Sequence, residues 1–257
     1  MSVRITEALV PLLFVFVFGT IIGSFLNALV FRLRNKITLW GRSQCPSCKE
    51  TIHPAHLVPI VSFVALKGKC ASCHATIHWL YPVVELVGGL LWLGAFLHQS
   101  DPALFFLEGL FLSYLLFVAA FDWRWKLLPI EPMAAMALAG LLVQAFDGDL
   151  LSAVFGLMIG GGFFGAQYLV SKGKWIGLGD IWLGASVGAW LGWQGILVAL
   201  YLCYIAGGLI ALVLFAIGVW KRGNRVAFAP FFALGSFGAV WFGGVIAGWF
   251  ARAMGVA

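Results

Sequence analysis

Residues 10–31 read VPLLFVFVFGTIIGSFLNALVF, an uninterrupted run without one charged side chain. As a helix rising about 1.5 Å per residue it spans roughly 33 Å, enough to cross a hydrocarbon core of about 30 Å. It is too long for a signal-peptide core, and no small-residue cleavage site follows it, so it is expected to remain as a span. Seven further apolar runs follow, at 82–97, 104–121, 130–146, 150–170, 181–191, 195–220 and 231–250. The sixth of the eight is short and glycine-containing, which suggests tilt or partial re-entry. Mean hydropathy is +1.01. With 62% hydrophobic and only 10% charged residues, the chain cannot cover a soluble core. A β-barrel would show alternating segments of about 10 residues, and none is present. No internal repeat and no low-complexity stretch is evident. The expected fold is an all-α membrane protein of about eight transmembrane helices with a small polar insert between the first two.

Charge gives the orientation. Under eight spans, fourteen of the sixteen Lys and Arg residues fall on one side, and only Arg4 and Arg252 fall opposite. Positive loops stay in the cytoplasm, so both termini are expected to face outward. The net charge of +6 is spread over four membrane-flanking loops. It reads as a topology signal, and nucleic acid is not expected as a partner.

The polar stretch 32–80 breaks the membrane pattern. It carries Cys45-Pro46-Ser47-Cys48 and Cys70-Ala71-Ser72-Cys73, a C-x2-C-x21-C-x2-C arrangement. Two such turns can place four thiolates tetrahedrally around one zinc ion. Disulfides compete with this reading, but the positive-inside rule puts the loop in a reducing compartment. Four protein ligands leave no open position, so the ion is expected to be structural. His53, His56, His74 and His78 share the insert and are spare ligands or surface residues. Cys203, inside a span, reads as packing.

Five of the ten acids lie in or at the edges of spans: Glu85, Glu108, Asp122, Glu131 and Asp180. An ionised group at the centre of a membrane helix costs about 2.5–3.5 kcal/mol on insertion scales, so each is a functional candidate. Asp122 opens Asp122-Trp123-Arg124-Trp125-Lys126-Leu127-Leu128-Pro129. Asp180 closes Gly177-Leu178-Gly179-Asp180. Both are expected at the cytoplasmic boundary, on separate helices that could face each other. Gly177 and Gly179 allow close backbone approach there. The residues alone leave blander roles open: Asp180 as a helix N-cap, Asp122 paired with Arg124 or Lys126. Glu85 either lines a cavity or balances a cation, and Asn27 is expected to hydrogen-bond across helices. Trp123 and Trp125 fit an interfacial anchor.

Taken in order, the motifs resemble one family over nearly the whole chain. Gly23-Ser24-Phe25-Leu26-Asn27 comes first, then the cysteine spacing with Val58-Pro59-Ile60-Val61-Ser62 and Lys67-Gly68-Lys69-Cys70. Tyr81-Pro82-Val83-Val84-Glu85-Leu86, Asp122 seven residues before Pro129, Gly177 to Asp180, and Phe228-Ala229-Pro230-Phe231-Phe232-Ala233-Leu234-Gly235 complete the set. The chain is similar to the type IV prepilin peptidases, membrane GxGD aspartic proteases that also methylate their product. Ile130, His56, Ala229 and Arg34 depart from the usual residues; none removes an aspartate, and they bear on the methylation side.

The resemblance implies a cytoplasmic (inner) membrane enzyme with its active site and insert on the cytoplasmic side. It would cut the basic leader from a prepilin or pseudopilin. Asp122 and Asp180 would share one proton and activate water, with Gly177 and Gly179 positioning the substrate backbone. The new N-terminal amine would then be methylated from S-adenosylmethionine. The implied domains are a first transmembrane helix (1–31), a four-cysteine zinc insert tied to methyl transfer (32–80) and a seven-helix protease core (81–257), with membrane lipid as surroundings. Two other classes remain: a proton-coupled transporter with a zinc regulatory module, and a noncatalytic assembly factor.

Overall fold

A computed structural model describes residues 2–217 and 227–253. Eight α-helices are found among them: α1 (Ser2–Arg34), α2 (Val61–Ala65), α3 (Leu80–His98), α4 (Pro102–Trp125), α5 (Ile130–Phe146), α6 (Leu150–Ser171), α7 (Leu178–Ala216) and α8 (Ala229–Ala253). Among the described residues the extended pairing amounts to two isolated bridges. Six helices (α1, α3, α4, α6, α7 and α8) are long and apolar enough to cross a bilayer, and α5 is a shorter apolar helix. This is a multi-pass membrane protein. The cations Lys221, Arg222 and Arg225, used above to orient the chain, lie outside the described residues.

The chain divides into two compact units, Met1–Ala120 and Phe121–Ala257, with α4 running from the first into the second. In the first unit, glycines weld α1 to α3. A Cβ on Gly19 would lie 2.6 Å from the Gly88 carbonyl oxygen, and one on Gly23 would lie 2.7 Å from that of Val84. Only residues without side chains let two membrane helices pack this closely. Asn27 Nδ2 donates to the Tyr81 carbonyl at 3.0 Å, the cross-helix bond expected of it. Trp92 is buried, donates Nε1–H to Ser113 Oγ at 2.9 Å, and lies against Gly109 on α4. At the far end of this α3–α4 pair, buried Glu108 binds His98 Nδ1 at 2.8 Å and Gln99 Nε2 at 2.7 Å.

In the second unit the decisive residue is Gly192. Its φ of 71° and ψ of 178° interrupt α7, a conformation that glycine adopts without penalty. The chain reverses there. A Cβ on Gly160 of α6 would meet both the Gly184 carbonyl oxygen (2.1 Å) and Ile196 Cγ1 (3.2 Å). In a straight helix residues 184 and 196 would stand about 18 Å apart, so 178–191 and 193–216 are two arms of a hairpin. The first arm crosses α6 through paired small-residue motifs, Gly156 against Gly188 and Gly160 against Gly184. The second arm packs on α8, where Gly235 meets the backbone of Ala199 and Cys203. Cys203 is buried there, as packing requires.

Candidate active site and metal centre

Asp122 occupies the last turn of α4, which stops at Lys126 in the left-handed conformation (φ 51°). The carboxyl is buried, and its Oδ2 accepts the backbone N–H of Ala229 at 2.8 Å. Phe228 N–H binds the same carboxyl. These amides open α8, whose first N–H groups have no intrahelical acceptor. The start of α8 therefore presents free donors, and Asp122 takes them from more than a hundred residues away.

Asp180 sits in the first turn of α7. Its Oδ2 accepts the N–H of Gly177 at 2.9 Å, and its own N–H donates to the Gly177 carbonyl at 3.2 Å. Gly177 is thus the capping residue, and Asp180 is the third helical residue reaching back to it, one half of a capping box. The expectation that Asp180 itself forms the N-cap is corrected to this extent. Gly179 has a steric role: a Cβ there would come within 2.7 Å of Leu128 Cβ. Its bareness lets the start of α7 settle on the loop that leaves Asp122. Gly177 is exposed, and a Cβ there would make only ordinary contacts.

Asp122 lies within electrostatic reach of Asp180 and of Lys126, and Tyr204 lies within reach of Asp180. Tyr204 donates its hydroxyl to Gln167 Oε1 at 3.1 Å. Phe228, stacked on Phe232 and edge-on to Phe164, continues an aromatic wall beside the pair. Asp122, Asp180, Gly177 and Gly179 all belong to the second unit. Two acids at the junction of helix ends, each with one oxygen fixed by a backbone amide, can exchange a proton with water and with a bound carbonyl.

Glu85 belongs to the first unit, where its partners are a backbone amide and a hydroxyl rather than a cation. Its Oε2 accepts the N–H of Ile60 at 2.7 Å, and Ser24 of α1 also binds it.

The four cysteines are brought together. Their sulfurs all lie within 4.8 Å of one another, with the Cys45 and Cys73 Sγ atoms 3.8 Å apart. Tetrahedral ligands at about 2.3 Å from a metal stand about 3.8 Å from each other, whereas a disulfide is about 2.05 Å long. The donor set fits a metal ion. The backbone N–H of Cys48 binds the Cys45 sulfur and favours its thiolate form.

The two cysteine turns are copies of one another, which corrects the expectation of no internal repeat. Cys45-Pro-Ser-Cys-Lys-Glu-Thr-Ile-His53 and Cys70-Ala-Ser-Cys-His-Ala-Thr-Ile-His78 align without a gap. Gln44 bridges Thr51 as Lys69 bridges Thr76. Cys45 N–H donates to Glu50 O (3.0 Å) as Cys70 N–H donates to Ala75 O (2.9 Å). Lys49 and His74 both take positive φ, 61° and 56°. His53 and His78 end the two copies by accepting the N–H two residues ahead, from Ala55 and Leu80. These two histidines are thereby explained as turn caps. The repeat is nine residues long, too short to register as a fold-scale period.

Residues 17–99 match the bacterial peptidase A24 N-terminal domain, and residues 109–212 match the type IV leader peptidase family. The chain is 30% identical to a prepilin leader peptidase/N-methyltransferase of Pseudomonas aeruginosa, over 91% of this chain and 92% of that one. Proteins of the same name from Bacillus subtilis (32%, covering 89% and 93%) and Aeromonas hydrophila (29%, covering 92% of each) are also similar. No solved structure matches. With both halves matched and relatives aligned nearly end to end, the chain belongs to the type IV leader peptidase family.

Proposed function

We propose that this protein cleaves the basic leader from type IV prepilins or pseudopilins with Asp122 and Asp180, and then methylates the new N-terminal residue. What supports the reading is that these two carboxyls, at the ends of α4 and α7, lie within electrostatic reach of each other inside the segment matched to leader peptidases. Oδ2 of each acid is anchored by a backbone amide, which leaves the other oxygen for water and substrate. One carboxylate takes a proton from water as the oxygen attacks the scissile carbonyl. The other, protonated, hydrogen-bonds that carbonyl oxygen. The C–N bond then breaks, the amine takes up a proton, and the leader departs with a carboxylate. Exposed Gly177 offers bare backbone beside Asp180 for the substrate strand, and Gly179 keeps that turn close. No observation favours the transporter or assembly reading.

Counting both arms of α7 and the shorter α5, the chain crosses the membrane eight times. That count places 35–79, 126–129 and 172–177 on one side. The positive-inside rule makes it the cytoplasmic side of a bacterial inner membrane, with both termini outward. The four cysteines hold structural Zn2+, the ion that a closed tetrathiolate site suits. The stretch 32–80 is then a zinc module between the first span (1–31) and the protease core (81–257). Methyl transfer, with S-adenosylmethionine as co-substrate, is assigned to the first unit. The partners are the pilin substrates and the surrounding lipid. Incubating the reconstituted protein with a prepilin and reading the product by mass tests the proposal. Loss of the leader plus one methyl group supports it, and an intact prepilin contradicts it.

A further inference from the structure

The segment between the two cysteine turns carries an exposed apolar surface. Leu57, Val58, Val61 and Val64 are 40, 45, 63 and 68% exposed. Short helix α2 (Val61–Ala65) exposes only apolar side chains. The depth of this surface follows from one hydrogen bond. Ile60 N–H is held at 2.7 Å by Glu85, which lies five residues inside α3, about 7.5 Å beyond its first residue. The same level is marked on α1, where Ser24 binds Glu85 and a Cβ on Gly23 would lie 2.8 Å from Glu85 Cα. Ser24 is eight residues, about 12 Å, short of Arg32, the first charge after the apolar run. The backbone at Ile60 therefore lies at the depth of the apolar, membrane-spanning part of two helices.

Backbone outside a helix is tolerated at that depth only when its polar groups find partners in the protein. Ile60 shows how this is met. It stands at φ 62° and ψ −51°, costly for a β-branched residue, and the buried carboxylate satisfies its N–H.

We propose that residues 57–64 re-enter the bilayer as a shallow wedge pinned by Glu85. Leu57, Val58, Val61 and Val64 lie against the acyl chains of the leaflet at the Arg34 end of α1. Lipid is the occupant because the surface is apolar and sits at hydrocarbon depth. The cysteine turns on either side, with exposed Lys49 and the flanking Lys67 and Lys69, stay among the headgroups and water. The inference rests on the membrane-spanning helices and is independent of the peptidase reading.

The test uses the full-length, metal-loaded protein in nanodiscs of phosphatidylethanolamine and phosphatidylglycerol. The photoreactive p-benzoylphenylalanine is placed at Val61 or Val64, at Leu90 on the exposed face of α3 as a lipid reference, and at Lys49 as a water reference. Mass spectrometry after irradiation is expected to find acyl-chain adducts at Val61 and Val64 in yields close to that at Leu90, with none at Lys49. Absence of lipid adducts at Val61 and Val64 while Leu90 forms them would overturn the proposal. Replacement of those adducts by prepilin adducts on adding substrate would also overturn it, making the surface a substrate dock. Glu85→Ala is expected to lower the Val61 adduct while metal content and the Leu90 adduct hold. An unchanged Val61 adduct would refute the pinning role.

Discussion

Replacing Gly160 by alanine tests the helix crossing that carries Asp180. The new Cβ would stand 2.1 Å from the Gly184 carbonyl oxygen, where real Cβ contacts essentially never fall below 3.0 Å. The backbones must separate by about 0.9 Å, the difference between those two distances. Overpacking of this kind costs about 1–3 kcal/mol. Gly162→Ala, two residues away, meets nothing within 4 Å and serves as control. It should gain up to about 1 kcal/mol from helix propensity alone. Unfolding of both variants by SDS titration in mixed micelles, followed by circular dichroism, should place Gly160→Ala below wild type and Gly162→Ala at or above it. Asp180 lies one turn from Gly184, so a shift near 1 Å should also reduce prepilin cleavage, by up to about a hundredfold. Equal stability of the two variants, or greater damage from Gly162→Ala, would refute the crossing.

Three other perturbations separate the parts of the site. Ala229→Pro removes the N–H that binds Asp122 while leaving proline at the first helical position, where it is tolerated. In protein whose fold the SDS titration confirms, cleavage should fall by at least the worth of one charge-assisted hydrogen bond, about 1.5–3 kcal/mol; full activity would remove the amide from the mechanism. Cys45→Ser should lower bound metal from one ion per chain and open Lys49, Lys67 and Lys69 to trypsin, as read by plasma mass spectrometry and limited digestion. Unchanged metal content would discard the tetrathiolate site. His98→Ala takes one of the partners of buried Glu108 and should destabilise the first unit by about 1–3 kcal/mol in the SDS titration. No change would make that pair ornamental.

Much of this was legible because membranes and metals constrain sequence strongly. Long apolar runs revealed the spanning helices, and the boundary drawn between 191 and 195 brackets the Gly192 reversal. The paired C-x2-C spacing located the sulfur cluster. What stayed hidden depends on backbone direction. The amides of Phe228 and Ala229 bind Asp122, the latter across a separation of 107 residues, and no side chain advertises them. Their only trace was the motif around Ala229, whose purpose is not written in its residue types. Glu85 read as either lining a cavity or balancing a cation, and nothing in the letters pointed to the main-chain N–H it accepts, from an isoleucine at positive φ. The repeat of the cysteine turns was readable in the letters, but only hydrogen-bond equivalence gives the matching positions a physical meaning.

The most direct measurement is leader cleavage of a purified prepilin by wild type, Asp122→Asn and Asp180→Asn. Each is reconstituted in lipid with its fold confirmed by the SDS titration and its metal content measured. Wild type should release the leader as a single product, and both variants should be folded, metal-loaded and inactive. Full activity in either variant, or no cleavage by folded wild type across several prepilins, would contradict the aspartate pair.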